Sequence, residues 1–144
     1  MGGKKLFGLM LVGLVAINAC GKGDGRVKVY PAQGKVLVRG TPAEGAIVFF
    51  FPAGDAKRPG IPAPNGTTDS QGVYKLSTYE ADDGAPEGDY QVSISWPEPL
   101  PPNVRESVTG PKDRLGNRFS DPQKSKLTAK VAGGGGEIPA FALQ

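Results

Sequence analysis

The stretch Tyr90-Gln91-Val92-Ser93-Ile94-Ser95-Trp96 alternates apolar and polar side chains without interruption. Successive side chains of a strand point to opposite faces, so Tyr90, Val92, Ile94 and Trp96 share one face and Gln91, Ser93 and Ser95 the other. The pattern predicts a strand with one dry and one wet face, as in an antiparallel sheet packed on one side. Upstream, Ala46-Ile47-Val48-Phe49-Phe50-Phe51-Pro52 is apolar on both faces, with Ile47, Phe49 and Phe51 on one and Val48 and Phe50 on the other. Such a strand is expected at the centre of its sheet, or with its outer face covered by a loop.

Working outward, Gly34-Lys35-Val36-Leu37-Val38-Arg39 is a further strand, joined to the last by the turn-rich Gly40-Thr41-Pro42-Ala43-Glu44-Gly45. Ala53 to Gly66 is rich in Pro, Gly and Ala and suits an excursion across the surface. Thr67 to Tyr79 reads as a tight Asp69-Ser70-Gln71-Gly72 turn followed by a strand. Asp69 should accept hydrogen bonds from the turn backbone and Gly72 should take a positive φ. Lys126 to Val131, the run Gly133-Gly134-Gly135-Gly136 and Glu137 to Leu143 read as a closing hairpin, with Pro139 forcing an edge or a bulge on its last strand. Pro97 to Gln123 is a long Pro-rich, charged loop whose start, Pro97-Glu98-Pro99-Leu100-Pro101-Pro102, favours an extended polyproline conformation.

These segments, in order, resemble a known family. Gly34-x-Val36, Gly40-x-Pro42, Glu44-Gly45-Ala46-x-Val48-x-Phe50, Thr68-Asp69-x-x-Gly72-x-Tyr74 and Gly88-x-Tyr90-x-Val92 resemble the carboxypeptidase regulatory-like domain. Asp113-Arg114-Leu115, Arg118-Phe119-x-Asp121-Pro122 and Ser125-x-Leu127-Thr128-Ala129-x-Val131 are similar to small bacterial lipoproteins built on it. The resemblance implies an all-β, seven-stranded, transthyretin-like (prealbumin-type) Greek-key β-sandwich over residues 32–144, with a long loop at 97–123. It implies architecture rather than chemistry, because sandwiches host many functions.

The amino terminus carries the one side chain whose chemistry is legible. Lys4 and Lys5 precede an apolar run from Leu6 to Ile17 that is short of the roughly 20 residues a membrane span needs. It ends in Ile17-Asn18-Ala19-Cys20, which resembles the lipobox of a bacterial lipoprotein signal. The expectation is a signal peptide over 1–19, a lipidated Cys20 as the first mature residue, and a flexible tether over 20–31. Three acyl chains on one cysteine exceed what stable anchoring requires. Cys20 is the only cysteine, so no intramolecular disulfide competes for it. Gly21, rather than an aspartate, follows it and resembles an outer-membrane sorting signal.

Composition excludes several classes. The formal charge of +3 counts Lys4 and Lys5; without them 15 basic residues face 14 acidic ones, which is no footprint for nucleic acid. The absence of histidine removes Ser-His-Asp and Cys-His catalysis and imidazole metal ligands. Hydroxyisourate hydrolases, an enzyme branch of the transthyretin-like fold, use histidines and a C-terminal Tyr-Arg-Gly-Ser. This chain ends Phe141-Ala142-Leu143-Gln144, so that activity is not expected. Any enzyme here would run on carboxylates alone, such as Asp82 with Glu87.

Glu80, Asp82, Asp83, Glu87 and Asp89 crowd one loop, but not at EF-hand spacing, and an acidic solvated turn is expected rather than a calcium site. No metal, cofactor or catalytic residue is assigned. The functional expectation is a membrane-anchored envelope module, held by Cys20, for structural or protein-interaction roles. The alternative is a glycan or small-ligand binder, for which Tyr30, Tyr79 and Phe119 are the aromatics that strand parity does not bury.

Overall fold

The computed structural model describes residues 24–54, 59–102 and 110–144. Its first sheet is organised on β1 (Ala32–Val38), a strand bonded along both edges. A two-residue turn at Arg39 and Gly40, with φ of 50° and 79°, folds β2 (Thr41–Pro42) back onto it. Two successive positive φ values match the right-handed twist of a hairpin. β5 (Val73–Lys75) pairs antiparallel beside β2, with Gly34 opposite Tyr74. Along the opposite edge β8 (Gly136–Glu137) and β9 (Phe141–Leu143) run parallel to β1.

The second sheet is antiparallel throughout, in the order β4 (Asn65–Thr67), β3 (Ile47–Pro52), β6 (Gly88–Ser95), β7 (Leu127–Val131). The two sheets enclose one core. Val36, Tyr74, Ile138, Phe141 and Leu143 come from the first sheet and its connections, and Val48, Phe50, Tyr90, Val92, Ile94 and Val131 from the second. Phe50 links them: its ring centroid lies 5.7 Å from Tyr90, 6.2 Å from Tyr74 and 6.4 Å from Phe141. Burying side chains of this size stabilises by about 1.5–3 kcal/mol each.

The dry face expected at 90–96 is realised, with Tyr90, Val92 and Ile94 buried and Trp96 packed against the core rim, but the other face is not uniformly wet, because Ser93 is buried as well. The turn before β5 is as expected: Asp69 Oδ1 accepts from the Gln71 and Val73 amides at 2.9 and 3.0 Å, and φ of Gly72 is 75°. Buried Thr68 ties this turn to the β2–β3 connection, its hydroxyl accepting from the Ala46 amide at 2.8 Å and donating to the Ala43 carbonyl.

Two expectations are corrected. Nine strands, not seven, stand among the described residues. Two of the nine, β2 and β8, are only two residues long, and the last expected strand is divided because Pro139 lacks an amide to donate. The closing segments do not form a hairpin: β7 belongs to the second sheet, and the glycine run carries the chain across to the first, where β8 and β9 lie parallel to β1. The described part of the loop expected over 97–123 is sewn to β6 from Lys112 onward. Glu98 donates to the Lys112 carbonyl, Arg114 to Trp96 and Ile94 to Phe119, each at 2.8 Å. The Ser125 hydroxyl donates to the Val92 carbonyl at 2.6 Å. These groups meet the bonding needs of β6 where β7 no longer reaches.

Candidate functional site

Asp83 is the organising residue of the acidic loop. Its Oδ1 accepts from the Thr78 amide at 2.7 Å, and its Oδ2 from the Tyr79 and Glu80 amides at 3.0 Å each. Burial works to raise its carboxyl, but the backbone donors at Thr78, Tyr79, Glu80 and Asp83 itself outweigh it and hold the group below the ordinary aspartate value. Both oxygens thus serve the fold. Asp82 is exposed and its amide donates to Ser77 Oγ at 2.8 Å, while the Glu87 carboxylate lies over Gly133 in the β7–β8 turn. Among the described residues no group of three or more acidic, histidine or cysteine side chains is placed to hold a metal ion.

A carboxyl depressed by native contacts contributes stability that is complete above its unfolded value of about 3.9 and is lost as pH falls through its folded value. Asp83→Asn keeps the shape but loses the charge. It should cost about 1–3 kcal/mol at neutral pH, the worth of hydrogen bonds to a charged group. As pH falls below the unfolded value and through the depressed folded one, the melting temperatures of the two proteins should converge. A gap independent of pH would mean that the charge is not what the loop uses.

The aromatics that strand parity left exposed are half-buried, and each has a cation over its ring. Arg26 lies 5.2 Å from the centre of Tyr79, Lys28 5.1 Å from Tyr30 and Arg118 5.2 Å from Phe119. Arg114 covers Trp96 at 4.8 Å, and Trp96 Nε1 donates to the Glu44 carbonyl at 2.7 Å. The Val27 amide donates to Tyr79 Oη at 3.2 Å, and Tyr30 forms a two-way backbone bridge with Ala85. The segment from Asp24 to Tyr30, read as tether, therefore runs along the loop at 77–85. Cys20 lies outside the described residues.

Parity did not expose the feature that stands out on the surface. β3 is central, as expected, but no described loop hides its outer face: Phe49 is 38% exposed and Phe51 half-buried beside it. Next to Phe51 runs an apolar groove of about 330 Å³, walled by Pro52, Pro59, Ile61, Pro62 and Tyr90. The doubly apolar run was the sequence signal for this face; what it could not say was that the described part of the Pro-rich excursion, 59–64, would flank Phe51 rather than cap it.

No family model matches the chain, and no curated protein does. Among solved structures, 81% of the chain superposes on a 9R-lipoxygenase from Cyanothece PCC8801 at 15% identity with a TM-score of 0.42, spanning only 16% of that protein. The 5-hydroxyisourate hydrolase of Klebsiella pneumoniae matches 78% of the chain and 84% of its own, at 21% identity and a TM-score of 0.35. The major plantain pollen allergen Pla l 1 matches 78% and 90%, at 16% identity and 0.35.

Proposed function

We propose that the chain is a cell-envelope lipoprotein, anchored through Cys20, that displays one non-catalytic β-sandwich of the transthyretin-like, carboxypeptidase regulatory-like kind. The observation that carries this reading is the leader: two lysines, a short apolar run and Ile17-Asn18-Ala19-Cys20. The position of Arg26 supports it. Arg26 reaches Glu80 at 3.5 Å and the face of Tyr79, so five residues separate Cys20 from the first described side chain held on the domain. At 3.3–3.6 Å per extended residue they reach no more than about 20 Å. The anchor would therefore keep the loop at 77–85 beside the bilayer and direct the far end of the sandwich outward. In this reading the partners are the membrane and an envelope protein or glycan, with Gly21 favouring the outer membrane. The display surface is the long loop from Pro97 to Pro122, in whose described part Leu100 is 42% exposed.

Growth of cells with an alkyne-bearing fatty acid tests the anchor. The wild-type chain should take the label and sediment with membranes, whereas Cys20→Ser should take none and appear in the soluble fraction. An unlabelled wild-type chain, or a Cys20→Ser chain that still sediments, would contradict the proposal.

A further inference from the structure

We infer that the outer face of the second sheet, centred on Phe49 and Phe51, is a binding platform for a neutral polysaccharide with flat rings. The two residues are two apart on β3 and so stand on one face. Their ring planes are 28° apart and their centroids 6.3 Å apart. Among the described residues the cation contacts fall on Tyr30, Tyr79, Trp96 and Phe119, and none on this pair. β3 is bonded to β4 on one side and β6 on the other, so the platform is already formed before a ligand arrives.

The chemistry around the rings selects the ligand. The register sets Asn65 beside Phe49 and Gln91 beside Phe51, while Ser93, on the other side of Phe49, is buried and lies beneath the platform's reach. Thr67 and Ser95 flank Ile47 at the end of the row. These are amides and hydroxyls, so an ionised ligand would meet no opposite charge among them. Further along the face Asp89 stands opposite Lys130, one of each sign. A pyranose with equatorial hydroxyls has the complementary layout, with C–H groups on its faces for the electron-rich rings and hydroxyls on its rim for the polar neighbours. Two rings in line suit two successive sugars of a β-linked chain.

A second copy of the protein fits less well. Aromatic side chains bury about 150–250 Å² each, so two partly exposed rings offer well under the roughly 800 Å² per partner of a stable protein interface.

The test is depletion of the full chain, in mild detergent, by microcrystalline cellulose and by chitin, with sedimentation of the unbound protein. The wild type should be retained by at least one polymer, and Phe49→Ala and Phe51→Ala should each weaken retention about tenfold with the melting temperature preserved. Phe49→Tyr, which keeps the ring, should bind like the wild type. Retention by neither polymer would overturn the inference, as would retention that both alanine variants leave unchanged. So would a concentration-dependent dimer that Phe49→Ala abolishes, because the face would then belong to a second copy.

Discussion

Gly84→Ala is expected to lower the melting temperature by 10 °C or more, in keeping with a loss of about 3–5 kcal/mol. Gly84 has φ of 98°, a conformation that costs a residue with a Cβ about 1–3 kcal/mol. The added Cβ would also overlap the Tyr30 carbonyl and lie 2.7 Å from the Pro31 nitrogen, so the backbone must part. What parts is the bridge in which Tyr30 and Ala85 exchange amide bonds of 2.9 and 3.0 Å. Each is worth about 1 kcal/mol. Because this bridge holds the segment entering β1, trypsin should also cut faster at Arg26 and Lys28. A variant that melts within a degree or two of the wild type, with unchanged cleavage, would show that the close approach is not there.

Gly34→Ala is expected to be nearly as damaging, and Tyr74→Phe to restore part of the loss. A Cβ on Gly34 would overlap the Tyr74 hydroxyl and sit 2.6 Å from Cζ. Tyr74 cannot swing away, being fully buried, stacked on Phe141 at 6.4 Å and in contact with Phe50. Overpacking of this kind costs about 1–3 kcal/mol. The hydroxyl itself has no hydrogen-bond partner among the described residues, and burial pushes the phenol pKa above its ordinary value. An orphaned buried hydroxyl is a cost, so Tyr74→Phe alone should be neutral or stabilising by up to about 1–3 kcal/mol. In the double variant the nearest clashing atom is gone, and denaturant melts of all four proteins should show a coupling of about 1 kcal/mol. Strict additivity would mean that the two side chains do not meet.

The contrast between these glycines and the strands shows how far the sequence speaks. The faces of β6 follow from parity alone, because the period of a strand is fixed by its backbone, and the Asp69 to Gly72 turn follows from local chemistry. The pairing of β8 and β9 with β1 was not legible, since parallel contacts between residues about 100 apart leave no local trace. Nor was the sewing of 112–125 to the end of β6, three of whose bonds join backbone groups that every residue type carries. The acidic loop was visible as a cluster of five carboxylates, but only geometry distinguishes Asp83, which accepts three amides, from its exposed neighbour Asp82. The surface aromatics show the same limit. Tyr79 and Phe119 drew notice because parity left them out, whereas the cations over their rings are contributed by residues whose placement composition does not reveal.

The central claim, that Cys20 is the lipidated first residue of a displayed sandwich, is tested most directly by mass spectrometry of the amino-terminal peptide of the protein taken from membranes. The account predicts a peptide that begins at Cys20 and carries a diacylglyceryl thioether and an amide-linked acyl chain. A mature chain with a free Cys20 thiol, or one that still begins at Met1, would contradict it.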